Sequence, residues 1–180
     1  MKHRFTLLAA LAAFAVASPA LAQEGTLKKV KDSGAITVGH RDASVPFSYY
    51  DDKQQPVGYS MDLCARVVDA VKRELKLPNL KVNYQLVTSA NRIPLMANGT
   101  IDLECGSTGI MLRKDDAAFK KVVNGAINGL YKSGEISKIY DKWFQKPIPP
   151  KNINLNLPMS AQFKNVVANP TDSGDPNAYK

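Results

Sequence analysis

Cysteine is scarce in this chain: Cys64 and Cys105 are the only two among 180 residues. Neither belongs to a CxxC pair or has a histidine beside it, so the ligand spacing of a structural zinc site is missing. Long apolar runs are missing beyond residue 22, which removes any later segment suited to spanning a bilayer. Internal repeats are missing as well. Acidic residues are outnumbered, 16 against 24 lysines and arginines. The excess of base is spread along the chain rather than clustered, which argues against a nucleic-acid surface. The acidic pair Asp51-Asp52 sits in a polar turn with no further carboxylate to complete a cation site. These absences point to no metal and no cofactor.

What is present begins with an address. Lys2 and Arg4 precede an apolar run over 5–17, and Ala20-Leu21-Ala22 supplies the small-x-small pattern of a signal-peptidase site. The reading is a signal peptide over 1–22, cleaved after Ala22, and export to the periplasm. The remaining 158 residues (180 less 22) suffice for one ordinary domain with its own core. In an oxidising compartment the two cysteines could pair. Their spacing leaves a disulfide and two buried thiols equally open.

Hydrophobic periodicity predicts a β-type run over 35–39, a hairpin with a polar tip at 51–55, and then a helix. On that helix Cys64, Val67, Val68, Val71 and Leu75 form one apolar stripe. A strand over 81–87, a short helix over 89–97 and a strand over 100–105 follow. This β-α-β-α-β rhythm predicts a mostly parallel sheet flanked by helices. A short apolar run over 110–112 comes next. Two more helical stripes follow, one from Phe119 to Leu130 and one from Ile136 to Phe144, divided at Ser133-Gly134. Residues 145–180 hold 6 of the 11 prolines and many asparagines, and read as an extended tail.

In an open α/β sheet, ligands bind beyond the carboxyl ends of the strands. Here those ends run into His40-Arg41, into Thr88-Ser89-Ala90-Asn91-Arg92, and into Gly106-Ser107-Thr108. Arginine offers a planar fork that matches a carboxylate. Ser89, placed where a helix should begin, can offer its hydroxyl and neighbouring N–H groups to an anion. Gly106 permits close backbone approach, and Ser107 and Thr108 add hydroxyls. The set suits a small solute bearing carboxylates. His40 reads as structural, and Tyr140 and Trp143 read as core.

The stretches "VGHRDASVPFSYYDDKQQPVGYSMDLCARVVDAV", "VTSANRIPLMANGTIDLECGST", "MLRKDDAAFKKVV" and "SGEISKIYDKWFQKPIPPKNINLN" together resemble the glutamate/aspartate-binding periplasmic receptors of ABC importers, within the family 3 solute-binding proteins. The resemblance implies a type II periplasmic-binding-protein fold with two lobes, the first made from both ends of the chain. It also implies L-glutamate or L-aspartate as ligand and the importer's membrane permease as partner. Matched position by position, its ligand contacts fall on Arg41, Ser89, Arg92 and Ser107, and Thr108 lies beside them.

One departure is large. In that family "ECGST" leads into the second lobe, whereas here Thr108 abuts Gly109 and a domain's worth of chain is missing. The expected architecture is therefore a single lobe, α/β, with 23–108 as its N-terminal part and 109–144 as its C-terminal part. Binding should be weakened accordingly. An alternative is a non-binding module that docks on the permease or self-associates through the uncovered interlobe face. An enzyme, a dehydratase or lyase on the same fold with Glu104 or His40 as acid or base, is disfavoured because one lobe cannot enclose a substrate.

Overall fold

Parallel pairing sets the architecture of the computed structural model, which describes residues 25–171, 173 and 175–179. The signal segment and its cleavage site lie outside the described residues. Strand β1 (Ala35–His40) runs between β5 (Lys81–Leu86) and β6 (Leu103–Gly106), parallel to both. Strand β7 (Gly109–Met111) adds antiparallel to β6, giving the order β5-β1-β6-β7. A small antiparallel sheet of β2 (Ala43–Ser44), β3 (Ser48–Tyr50) and β4 (Pro56–Val57) forms the predicted hairpin region. Its turn is held by Asp51 Oδ1, which accepts from the N–H groups of Lys53 and Gln55.

Helices α1 (Thr26–Ser33), α2 (Tyr59–Leu75) and α4 (Ala117–Ser133) cover one face of the sheet. The stripe predicted for α2 is the buried one: Cys64, Val67, Val68 and Val71 pack with Val30, Ile36, Val38, Leu103, Phe119 and Val123. Burying each such aliphatic or aromatic side chain contributes about 1.5–3 kcal/mol. A second core gathers Tyr49, Leu130, Ile136, Tyr140, Trp143 and Phe144 around α5 (Glu135–Phe144). There the Trp143 indole N–H donates to Asp62 at 2.7 Å, so the aromatic payload is buried with its one polar atom satisfied. A small third core, Val87, Met96 and Ile101, lies under α3 (Arg92–Ala97).

Four expectations meet corrections or completions. The cysteines, left open above, form a Cys64–Cys105 disulfide with a Cα–Cα distance of 6.3 Å, because α2 packs directly on β6. The short helix starts at Arg92 rather than 89, since Thr88 and Asn91 close a turn on each other's backbone N–H groups first. The third strand starts at Leu103. Before it, the Asp102 carboxylate is taken up by Lys29 Nζ at 2.7 Å and the Thr37 N–H at 2.8 Å. The tail is not wholly extended: Ser160 caps Phe163 N–H and starts α6 (Ala161–Ala168), and a 3-10 turn spans Pro176–Tyr179. Among the described residues no helix is long and apolar enough to cross a membrane.

Asp116 joins the start of α1 to the start of α4. Its carboxylate accepts from Thr26 N–H at 2.7 Å and caps α4 through Phe119 N–H at 3.1 Å, with Arg113 at 3.2 Å. Burial pushes this carboxyl up, but the Thr26 and Phe119 N–H groups and the Arg113 charge outweigh burial and hold it below the usual range. A depressed carboxylate stabilises the fold above its unfolded pKa, and that contribution is lost as pH falls through the folded value. Asp116→Asn should therefore cost about 1–2 kcal/mol at neutral pH, with the gap to the parent closing in acid. Urea melts of both chains across pH would check this, and a pH-independent gap would count against it.

Candidate functional site

Parallel register aligns the strand ends. His40 pairs with Leu86 on one side and with Cys105 on the other, so the residues that follow all three strands emerge on one rim. Arg41, the first residue past β1, is fixed at its backbone, where its N–H donates to the buried Ser48 hydroxyl at 2.9 Å. Its Nη2 reaches the Ser89 hydroxyl at 3.2 Å. Arg92, the first residue of α3, donates from Nη1 to Thr108 Oγ1 at 2.8 Å. Ser107 and Thr108 form the two-residue turn between β6 and β7, where Gly106 pairs with Gly109.

Four of the five residues chosen from the sequence thus meet through side-chain hydrogen bonds, as Arg41 with Ser89 and Arg92 with Thr108. Ser107 lies on the same turn, exposed, and its neighbourhood opens towards a groove between α2 and α4 lined by Tyr59, Ile110 and Ile127. Ser89 does not cap a helix as expected; it stands exposed in the turn that precedes α3. Its hydroxyl remains at the rim, but α3 has only six residues, so its dipole adds little. His40 is buried as read, with Nδ1 at 2.9 Å from the Arg41 carbonyl and its ring edge-on to Tyr50.

Glu104 is the residue whose place at the site the sequence reading missed. It is fully buried, with Oε2 at 3.6 Å from Arg92 Nη1, and neither carboxylate oxygen has a hydrogen-bond partner among the described residues. Burial pushes its carboxyl up, while the Arg92 and Arg41 charges pull it down, and burial prevails. The signal for it was an acid in a strand with helices expected over both faces, where neither face meets water.

The rim is open at its hydroxyls: Ser89, Ser107 and Thr108 are exposed, while Arg41 and Arg92 are half-buried. Volume alone does not mark it: a concavity of about 690 Å³ lies beside α3, lined by Ile93, Met96, Met111 and Leu112 together with the charged run 113–116, without Arg41 or Arg92. Chemically, the rim presents two cationic forks and three hydroxyls, an arrangement that can take a carboxylate from one side only.

Comparison with known proteins gives a consistent result. The family model for bacterial extracellular solute-binding proteins, family 3, matches residues 36–112. The L-glutamate/L-aspartate-binding protein of Pseudomonas aeruginosa PAO1 is 35% identical, covering 92% of this chain and 96% of the relative. The glutamate/aspartate import solute-binding protein of Escherichia coli K12 is 30% identical over 82% and 88% respectively. The first of these alignments is 289 positions long, so at least 109 of its positions (289 less 180) face no residue here. Since nearly all of the relative is spanned, most of that deficit is internal. Among solved structures, a mutant of ArgBP from T. maritima superimposes with a TM-score of 0.55 at 14% identity, 98% of it within 66% of this chain. A Streptococcus pneumoniae ABC uptake transporter substrate binding protein with bound histidine gives 0.53 at 13%, covering 67% of this chain and 96% of that one. At such identities these two superpositions speak to the fold alone.

Proposed function

Because this chain belongs to the bacterial extracellular solute-binding proteins of family 3, we propose that it is the solute-binding component of an ABC-type importer for acidic amino acids. The ligand is L-glutamate or L-aspartate, held by Arg41, Ser89, Arg92, Ser107 and Thr108. The protein works in the periplasm after loss of residues 1–22, with the importer's membrane permease as partner. The observation that carries this reading is the meeting of two arginines and their hydroxyl partners at the carboxyl edge of the parallel strands. Charge-assisted hydrogen bonds to a carboxylate supply the recognition.

The chain reads as one lobe, with residues 23–108 and 109–144 as its two contributions and the second lobe missing between them. Contacts of this kind are worth about 1.5–3 kcal/mol each, against an association cost of about 4 kcal/mol or more. Affinity for a free amino acid should therefore be millimolar or weaker. In an NMR titration with L-glutamate, the Ser89 and Ser107 amides and the Arg92 Nε–H should shift together. Arg92→Ala should abolish the response. No shift in a folded protein would instead favour a module that docks on the permease or self-associates through its open rim. Sedimentation then separates those two, since a homodimer would dissociate on dilution.

A further inference from the structure

The carboxylate of Glu104 is buried, with Arg92 at 3.6 Å as its nearest cation, and the backbone is shaped around it. A Cβ at Gly106 would collide with Glu104 Oε1, so that glycine leaves the room that this side chain fills. An unpaired carboxylate in such a place is costly unless a charge compensates it. Two charges do. Arg92 lies at 3.6 Å, and Arg41, whose Nε is itself buried without a hydrogen-bond partner, acts on it from the end of β1. Its partners in the strand ladder carry no charge. Opposite on β7 is Met111; Gly39 faces it from β1; and Asp102, two residues earlier, is already paired with Lys29 of α1.

We propose that Glu104 is a positioning residue for the arginine pair, its carboxylate holding both guanidinium groups at the rim while no anion is bound and taking up a proton from solvent when an acidic solute arrives. The inference rests on the reading of the rim as an acidic-solute site. A solute carboxylate draws on the same guanidinium N–H groups that offset Glu104, adds a like charge nearby and displaces water from the rim. Each of these changes favours the neutral carboxyl. The balance is one carboxylate oxygen plus one proton giving one O–H, with the buffer as proton source. The direction of the shift already present without ligand agrees with this, because burial outweighs the two arginines.

Linkage makes the consequence measurable. Between the free and liganded midpoints of Glu104, affinity for L-glutamate should rise as pH falls, approaching tenfold per pH unit at the centre of a wide window. The solute's own carboxylates stay charged above about pH 5, so they do not contribute there.

The chain has only four glutamates, Glu24, Glu74, Glu104 and Glu135, so side-chain carboxyl ¹³C signals of the labelled protein are few enough to follow singly. The purified chain is titrated with acid and base, alone and with about 50 mM unlabelled L-glutamate, enough to occupy a millimolar site. The Ser89 amide and Arg92 Nε–H signals report occupancy independently. The expected result is a Glu104 midpoint above the ordinary carboxylate range that moves further up with L-glutamate. Glu104→Gln should in addition flatten the pH dependence of the apparent Kd, which loss of a merely structural contact would not do. A midpoint that stays put while the rim signals show occupancy overturns the role of Glu104 alone. Rim signals that never respond overturn the acidic-solute reading, and this inference with it.

Discussion

Removing the disulfide, as Cys64→Ala with Cys105→Ala, should lower stability by about 4 kcal/mol, the chain-entropy value for a closure of this length. The bridge spans a sequence separation of 41 residues and ties the second turn of α2 to β6. Both sulfurs are buried, so the loss acts mainly by releasing the unfolded chain rather than by exposing surface. For a chain of this size the melting temperature should fall by roughly 8–16 °C. Thermal and urea melts of the parent and double variant measure it. A loss under about 1 kcal/mol would mean that packing of α2 on β6 restrains the unfolded ensemble without the bond.

Gly58→Ala should be of similar size. Gly58 has φ +136° at the entry to α2, and a Cβ there would run into the carbonyl of Phe47 and stand 2.8 Å from Ser48 N. Backbone strain and overpacking each cost about 1–3 kcal/mol, and here they coincide. The lost geometry also reaches the rim. Tyr59 and Ser60 donate backbone N–H groups to the Pro46 and Phe47 carbonyls, and the Ser60 hydroxyl donates to the Gly106 carbonyl at 2.7 Å. The variant should therefore lose about 4 kcal/mol in urea unfolding and displace the Ser107 and Thr108 amide signals at low denaturant. A stability within 1 kcal/mol of the parent would show that the loop can move aside.

Much of this was legible in the sequence because its elements carry a strong period. The stripe from Cys64 to Leu75 and the one from Phe119 to Leu130 are helical in the structure at nearly the predicted residues. Helix α1 was missed because Leu27 and Val30 are its only aliphatic contacts, too few to set a period. Helix α6 was hidden by composition: asparagines and prolines around it outweighed a Ser160 cap that only its local geometry reveals. At the site, the strand-end rule chose Arg41, Ser89, Arg92, Ser107 and Thr108 without contact information, since parallel register is a property of topology. Glu104 escaped because an acid in a strand is ordinarily expected to face water, whereas β6 is buried on both faces. The disulfide could not be decided from spacing, because only the docking of α2 brings the two cysteines together.

The hairpin at Ser107-Thr108 also bears on how such a protein can be rebuilt. Gly106 and Gly109 face each other across the β6–β7 ladder, about 5 Å apart. The turn between them is exposed and holds no core residue. A closed sheet with so narrow an opening is a socket: any domain whose own termini lie side by side could be spliced in without stretching β6 or β7. Such a graft would stand directly over Arg92, so the identity of the inserted module, rather than that of the lobe beneath it, would decide which solute is enclosed.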